Sequence, residues 1–168
     1  MSYPEPRYAG ETGQVSAVRR PAEAPAEVVS PEGGTIHYLA TQATTEGDFG
    51  LYRLDMAPQT PGPRAHFHRS IAESFFVLAG TVTLFDGQRW ASSQTGDFLY
   101  VPAGGLHGFR NDSPEPASML LLFTPGAPRE EYFERLGEMV RHGGEELAEF
   151  LVRHDTFFVD AEGDPRPV

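Results

Sequence analysis

Apolar and polar residues alternate through the middle of the chain. Ile36, Tyr38 and Ala40 alternate with other residues, and so does the stretch 49–57, which stops at Pro58. A period of two is that of a strand with one buried face. Short segments of the same kind follow at residues 65–68, 74–78, 81–85, 97–101, 108–111 and 118–123. Turn signals divide them: Ala79-Gly80, Asp86-Gly87, Gly96, Pro102-Ala103-Gly104-Gly105, and the run 111–116. An Asp-Gly pair between alternating strands is a hairpin signal. Strands spaced about ten residues apart predict an antiparallel sandwich or barrel.

The period changes after Pro125. Tyr132, Phe133, Leu136, Met139 and Val140 recur three and four apart over residues 129–141. Pro128 and the acidic pair Glu130-Glu131 suit the N-terminus of a helix there. His142-Gly143-Gly144 ends that helix, and Leu147, Phe150 and Leu151 share one face of a second, over 145–153. Phe157, Phe158 and Val159 add a strand or pack. Before the first strand, Pro4, Pro6, Pro21, Pro25 and Pro31 disfavour regular structure. The expected organisation is an extended arm (1–32), a β-barrel domain (33–126) and a helical cap with a tail (127–168). The class is all-β with a C-terminal helical segment, and no repeat of solenoid length is present.

Composition narrows the chemistry. The length, 168 residues, suits one domain, and 18 Gly with 15 Pro favour short elements over a bundle. Thirteen basic residues against 24 acidic ones give a net charge of −11, which repels a phosphate backbone and excludes nucleic acid as a partner. All the basic residues are arginine, and there is neither Lys nor Cys. Schiff-base lysines, thiol nucleophiles, thiolate ligands and disulfides are therefore absent. Apolar runs such as 119–123 are far short of the roughly 20 residues that span a bilayer. The first thirty residues lack the apolar core of a secretory signal. The expectation is a soluble cytoplasmic protein without a membrane partner.

Any metal must then be held by His, Asp or Glu. His66 and His68, two apart in a strand-like segment, leave the same face. Glu73 faces the same interior if residues 69–72 form a bend, and His107 follows the turn at 102–105. Three neutral imidazoles and a carboxylate suit a divalent first-row ion. His37, His142 and His154 have no such companions and read as locally partnered polar residues.

The segment resembles the cupin superfamily. Its first motif is G-x5-H-x-H-x3,4-E-x6-G; His66, His68, Glu73 and Gly80 match, while Gly62 precedes His66 by three intervening residues instead of five. Its second motif is G-x5-P-x-G-x2-H-x3-N, matched throughout by Gly96, Pro102, Gly104, His107 and Asn111. The motifs are separated by 15 residues, 81–95, and the resemblance covers roughly 34–125. It implies a double-stranded β-helix (a jelly-roll barrel), a homodimer, and one divalent transition metal per chain held by His66, His68, Glu73 and His107. Iron, nickel, cobalt, manganese and zinc all remain open. Independently of the resemblance, Gly80 suits a tight turn, and Asn111 suits satisfying backbone groups at one.

Phe75, Val77, Phe109 and Leu121 either line a substrate cavity or fill the barrel core; the residues alone leave both open. Tyr38, Tyr52, Arg53 and Arg64 are candidate polar contacts at the mouth, with Tyr52 taken as a substrate contact, although surface placement is the favoured reading for each Arg. Tyr132 and Phe133 dock the helix and close one end of the cavity. With a single copy of each motif, a full ligand set and a Phe-rich interior, the chain is similar to quercetinase-type (flavonol) dioxygenases. That similarity implies an enolisable aromatic small molecule, dioxygen as co-substrate, and Glu73 as general base. Two other classes stay in view: a non-redox metal-dependent isomerase, cyclase or decarboxylase, and a non-catalytic small-molecule-binding cupin.

Overall fold

The computed structural model describes residues 3–31 and 33–162; the remainder of the expected arm (1–2 and 32) and of the tail (163–168) lies outside the described residues. In chain order the elements are β1 (Val28–Val29), β2 (Thr35–Ala40), β3 (Gly50–Met56), β4 (His66–Phe67), β5 (Ala72–Ala79), β6 (Thr81–Phe85), β7 (Trp90–Gln94), β8 (Phe98–Val101), β9 (Gly108–Arg110), β10 (Ala117–Thr124), α1 (Glu130–His142), α2 (Gly144–Arg153) and β11 (Phe157–Phe158). One sheet runs β1-β2-β3-β10-β5-β8, a second β7-β6-β9, and β11 pairs with β4. Every pairing is antiparallel. The architecture is a jelly-roll β-barrel with C-terminal helices.

Alternation creates the core. Along β10, Ala117, Met119, Leu121 and Phe123 are buried while the residues between them are partly exposed. The register sets Leu121 between Tyr52 of β3 and Phe75 of β5, and Met119 between Leu54 and Val77. Val82 and Leu84 of β6 and Phe109 of β9 close the same core from the second sheet. Removing a residue such as Phe75, 1 % exposed, would open a void worth on the order of 3–5 kcal/mol. Gly80 makes the turn between β5 and β6 at φ +71°; a Cβ there would lie 2.5 Å from the Pro116 carbonyl oxygen.

The two helices form where the 3-4 periodicity places them, within a residue or so at each end. Glu130 and Glu131 open α1, and Arg141 and His142 close it, as the helix dipole favours. Tyr132, Met139 and Phe150 make a second small core. The strands Val28–Val29 and Trp90–Gln94 were not expected. The first is too short and Pro-flanked to show a period. The second (WASSQ) is mostly polar, and it is fixed by pairing with β6.

Candidate metal centre and its cavity

Two backbone hydrogen bonds place the first pair of histidines. His66 N–H donates to the His107 carbonyl (2.8 Å) and His107 N–H to the His66 carbonyl (2.9 Å), so both residues sit at one antiparallel bridge. Gly104 N–H donates to the His68 carbonyl at 2.7 Å, pinning the 102–105 turn against the other histidine strand. Residues 69 and 70 bend the chain, and Glu73 enters on β5 facing inward. His66, His68, Glu73 and His107 are all buried, and each offers a ligand atom within 4.8 Å of the others.

The outer ring nitrogens fix the tautomers. Nδ1 of His66 meets the Arg64 carbonyl (2.7 Å), Nδ1 of His107 the Gly105 carbonyl (3.0 Å), and Nδ1 of His68 the Asp155 carbonyl. A carbonyl only accepts, so each Nδ1 carries a hydrogen; Nε2 then faces inward, bare when the ring is neutral and a donor when the ring is protonated. Nε2 of His68 and of His107 lie 3.1 Å and 2.9 Å from one oxygen of Glu73. Lone pairs facing a carboxylate repel unless a cation, either protons or a metal, stands among them. This buried donor set of three imidazole nitrogens and one carboxylate fits one divalent ion.

The electrostatics agree. Burial pushes the His66 imidazolium far down, and the neighbouring His107 pushes it further, so His66 is neutral. Burial lowers the pKa of His107 too, but its hydrogen bond to Glu73 and that carboxylate's charge outweigh burial and raise it. Burial raises Glu73, yet hydrogen bonds from His107 and His68 overcome it and hold the carboxyl well below the usual range. Glu73 is therefore the anion of the centre.

A cavity of about 560 Å³ reaches this centre, with His66 and Glu73 on its wall. Its remaining wall is largely apolar and comes from the large sheet, β9 and the C-terminal helices. Phe109 and Leu121 stand on it. Phe75 and Val77 do not; they are core residues, Phe75 packing its ring against His107 at 5.8 Å. Tyr52 is also off the wall, fully buried, donating its O–H to the Glu130 carboxylate at 2.7 Å. Arg64 is on the wall, whereas Arg53 pairs with Asp55 and Tyr38 donates to Glu134. Tyr132 and Phe133 line the helical side. Asn111 ties the turn, its amide N–H groups donating to the Ala57 and Glu115 carbonyls.

Two residues that sequence reasoning missed support the site. Asp155, at φ +52°, accepts His68 Nδ1–H through its carbonyl and the backbone N–H groups of Arg69 and Ser70 through its carboxylate. Arg129, 4 % exposed, lies on the cavity wall. Neither sits in a spacing pattern that would mark it.

Comparison with known proteins agrees with this geometry. Residues 52–123 match the family described as Cupin domain. Quercetin 2,3-dioxygenase of Bacillus subtilis (strain 168) is 30 % identical over 112 residues, which is 63 % of this chain and 31 % of that enzyme. The chain thus spans under a third of that relative's length. Among solved structures, the polyketide cyclase RemF of Streptomyces resistomycificus superposes with a TM-score of 0.53 at 22 % identity, over 66 % of this chain and 79 % of that one. A Thermotoga maritima protein described as a predicted oxalate decarboxylase gives 0.56 at 18 %, over 64 % and 97 %. At these identities the structural likeness is one of fold.

Proposed function

Because this chain belongs to the cupin superfamily, we propose that it is a metal-dependent dioxygenase acting on an enolisable, flavonol-like aromatic molecule. The observation that carries the reading is the apolar cavity of about 560 Å³ with two of the four candidate ligands on its wall. A buried ligand set beside open apolar space is arranged for a substrate as well as for an ion. The similarity to the Bacillus subtilis quercetin 2,3-dioxygenase supports the same class.

His66, His68 and His107 would hold the ion through Nε2, each ring oriented from behind by a backbone carbonyl. A divalent metal held there would supply a Lewis acid that acidifies a substrate hydroxyl. Phe109, Leu121 and Phe123 give an aromatic substrate an apolar bed and exclude water. Glu73 accepts the hydroxyl proton. Held by two histidines it is a poor base, so proton transfer requires its carboxylate to loosen from one of them. Both oxygen atoms of dioxygen enter the product as the O–O bond and carbon–carbon bonds of the enolised ring break; the substrate supplies the electrons, so no external reductant is needed.

The test is oxygen uptake by the iron-, nickel-, cobalt- and manganese-loaded protein with flavonols and other enolisable aromatics. Uptake with at least one pair is expected. No uptake with any, together with oxygen-independent conversion of those compounds by the zinc form, would replace this reading with a Lewis-acid isomerase or cyclase.

A further inference from the structure

Arg129 is a buried cation without a counter-ion. It is 4 % exposed, and it makes no ion pair among the described residues, although Arg20, Arg53, Arg110, Arg135 and Arg153 each sit on a carboxylate. The carboxylates beside it in sequence are engaged elsewhere: Glu130 receives the Tyr52 hydroxyl, and Glu131 receives Arg135 and Arg153. Nη1 donates to the His154 carbonyl at 2.6 Å and lies 3.5 Å from Thr156 Oγ1. The guanidinium carbon lies 4.0 Å from the centroid of the Tyr132 ring. Nε is buried with no partner. The Phe123 and Phe133 rings also flank the cation, at 5.2 and 5.7 Å, yet rings and the tie to His154 supply no negative charge and leave the Nε–H without an acceptor.

That charge faces the cavity that also exposes His66 and Glu73. A second buried guanidinium nitrogen without a partner, Nη1 of Arg64, lies on a residue of the same wall. Of the cavity's two acidic residues, Glu73 belongs to the histidine cluster, and Asp55 is held by Arg53, Thr35 and Ser118. The cavity therefore offers an apolar body-sized space, a metal-ligand cluster on its wall, and on the same wall an arginine whose buried Nε–H has no partner among the described residues.

We propose that the cavity's ligand is an aromatic carboxylate, and that Arg129 binds the carboxylate side-on through its Nε edge. The inference rests on the cavity being the substrate site, as in the function proposed above, and narrows the enolisable aromatic to one bearing an acid group. A planar guanidinium with one free edge matches a carboxylate in two parallel hydrogen bonds, which a neutral amide cannot reproduce.

The experiment compares 2-naphthoate with 2-naphthamide by calorimetry on the full chain, zinc-loaded and metal-stripped. The carboxylate is expected to bind at least about tenfold more tightly in both forms, the discrimination a charge-assisted hydrogen bond gives. Persistence in the stripped form assigns the anion to the protein and not to the metal. Arg129→Gln should bring the two affinities within about twofold, and Arg129→Lys should restore part of the preference. Equal binding of acid and amide to the wild type, binding of neither at millimolar concentration, loss of the preference on metal removal, or a preference that survives Arg129→Gln would each overturn the proposal. Should Arg129→Gln fail to fold, Arg129→Lys decides, since an acid preference undiminished in that variant would overturn the proposal. Absence of oxygen uptake with the preference intact would sink the dioxygenase reading only. Oxygen uptake without the preference would sink this inference only.

Discussion

Replacing Asp155 with alanine leaves all four candidate ligands in place and removes what grips them from outside. The Asp155 carboxylate receives the N–H groups of Arg69 (2.9 Å) and Ser70 (2.8 Å), in the bend that separates His68 from Glu73. Its backbone carbonyl receives His68 Nδ1–H. Each N–H···carboxylate bond would be worth about 1.5–3 kcal/mol if buried, but Arg69 and Ser70 are exposed and water replaces part of it, leaving about 1 kcal/mol each. Alanine also tolerates φ +52° less well than Asp, which adds up to about 1 kcal/mol. The loss of about 2–3 kcal/mol lowers Tm by roughly 5–10 °C for a chain of this size. Because the freed segment carries the carbonyl that orients His68, metal affinity should fall about 10- to 100-fold. Asp155→Asn, retaining one acceptor oxygen, should fall between. Thermal melts and chelator competition measure the two effects. A destabilised Asp155→Ala protein that binds metal within about twofold of wild type would show that the C-terminal segment does not position the site.

Two further outcomes follow from the fold. Gly80→Ala places a Cβ 2.5 Å from the Pro116 carbonyl at φ +71° and should cost at least about 2 kcal/mol in urea unfolding; a loss under about 0.5 kcal/mol would contradict the turn geometry. His154 is buried, which depresses its pKa below the ordinary 6.5 although Glu131 opposes this. The unfolded chain therefore binds a proton that the folded chain refuses, and stability falls as pH drops below about 6.5 toward the folded pKa. His154→Gln should lose less stability than wild type between pH 7.5 and pH 5; parallel losses would refute the assignment.

Much of this molecule is legible in its sequence because its signals are local. The alternation along 117–124 defines a strand buried on one face, and Tyr132, Phe133, Leu136 and Met139 define a helix, without reference to anything distant. The spacing His66-Phe67-His68 puts both imidazoles on one face, and the bend at 69–70 lets Glu73 join them. What escaped depends on contacts between segments far apart. Phe75 and Phe109 are alike in sequence terms and share one core, yet only Phe109 also stands on the cavity wall, a difference set by the tertiary placement of β5 and β9 in separate sheets. Asp155 is 87 residues from the histidine it orients. Arg129 reads as an ordinary first-turn residue until α2 and its exit bring the His154 carbonyl against it.

The account stands on three imidazoles and one carboxylate sharing a single divalent ion. Anomalous diffraction from metal-loaded crystals, collected at that metal's absorption edge, tests this directly. One strong peak per chain is expected, within bonding distance of Nε2 of His66, His68 and His107 and of the Glu73 carboxylate, and absent from His68→Ala crystals. A peak elsewhere, or none in protein crystallised with excess metal, would contradict it.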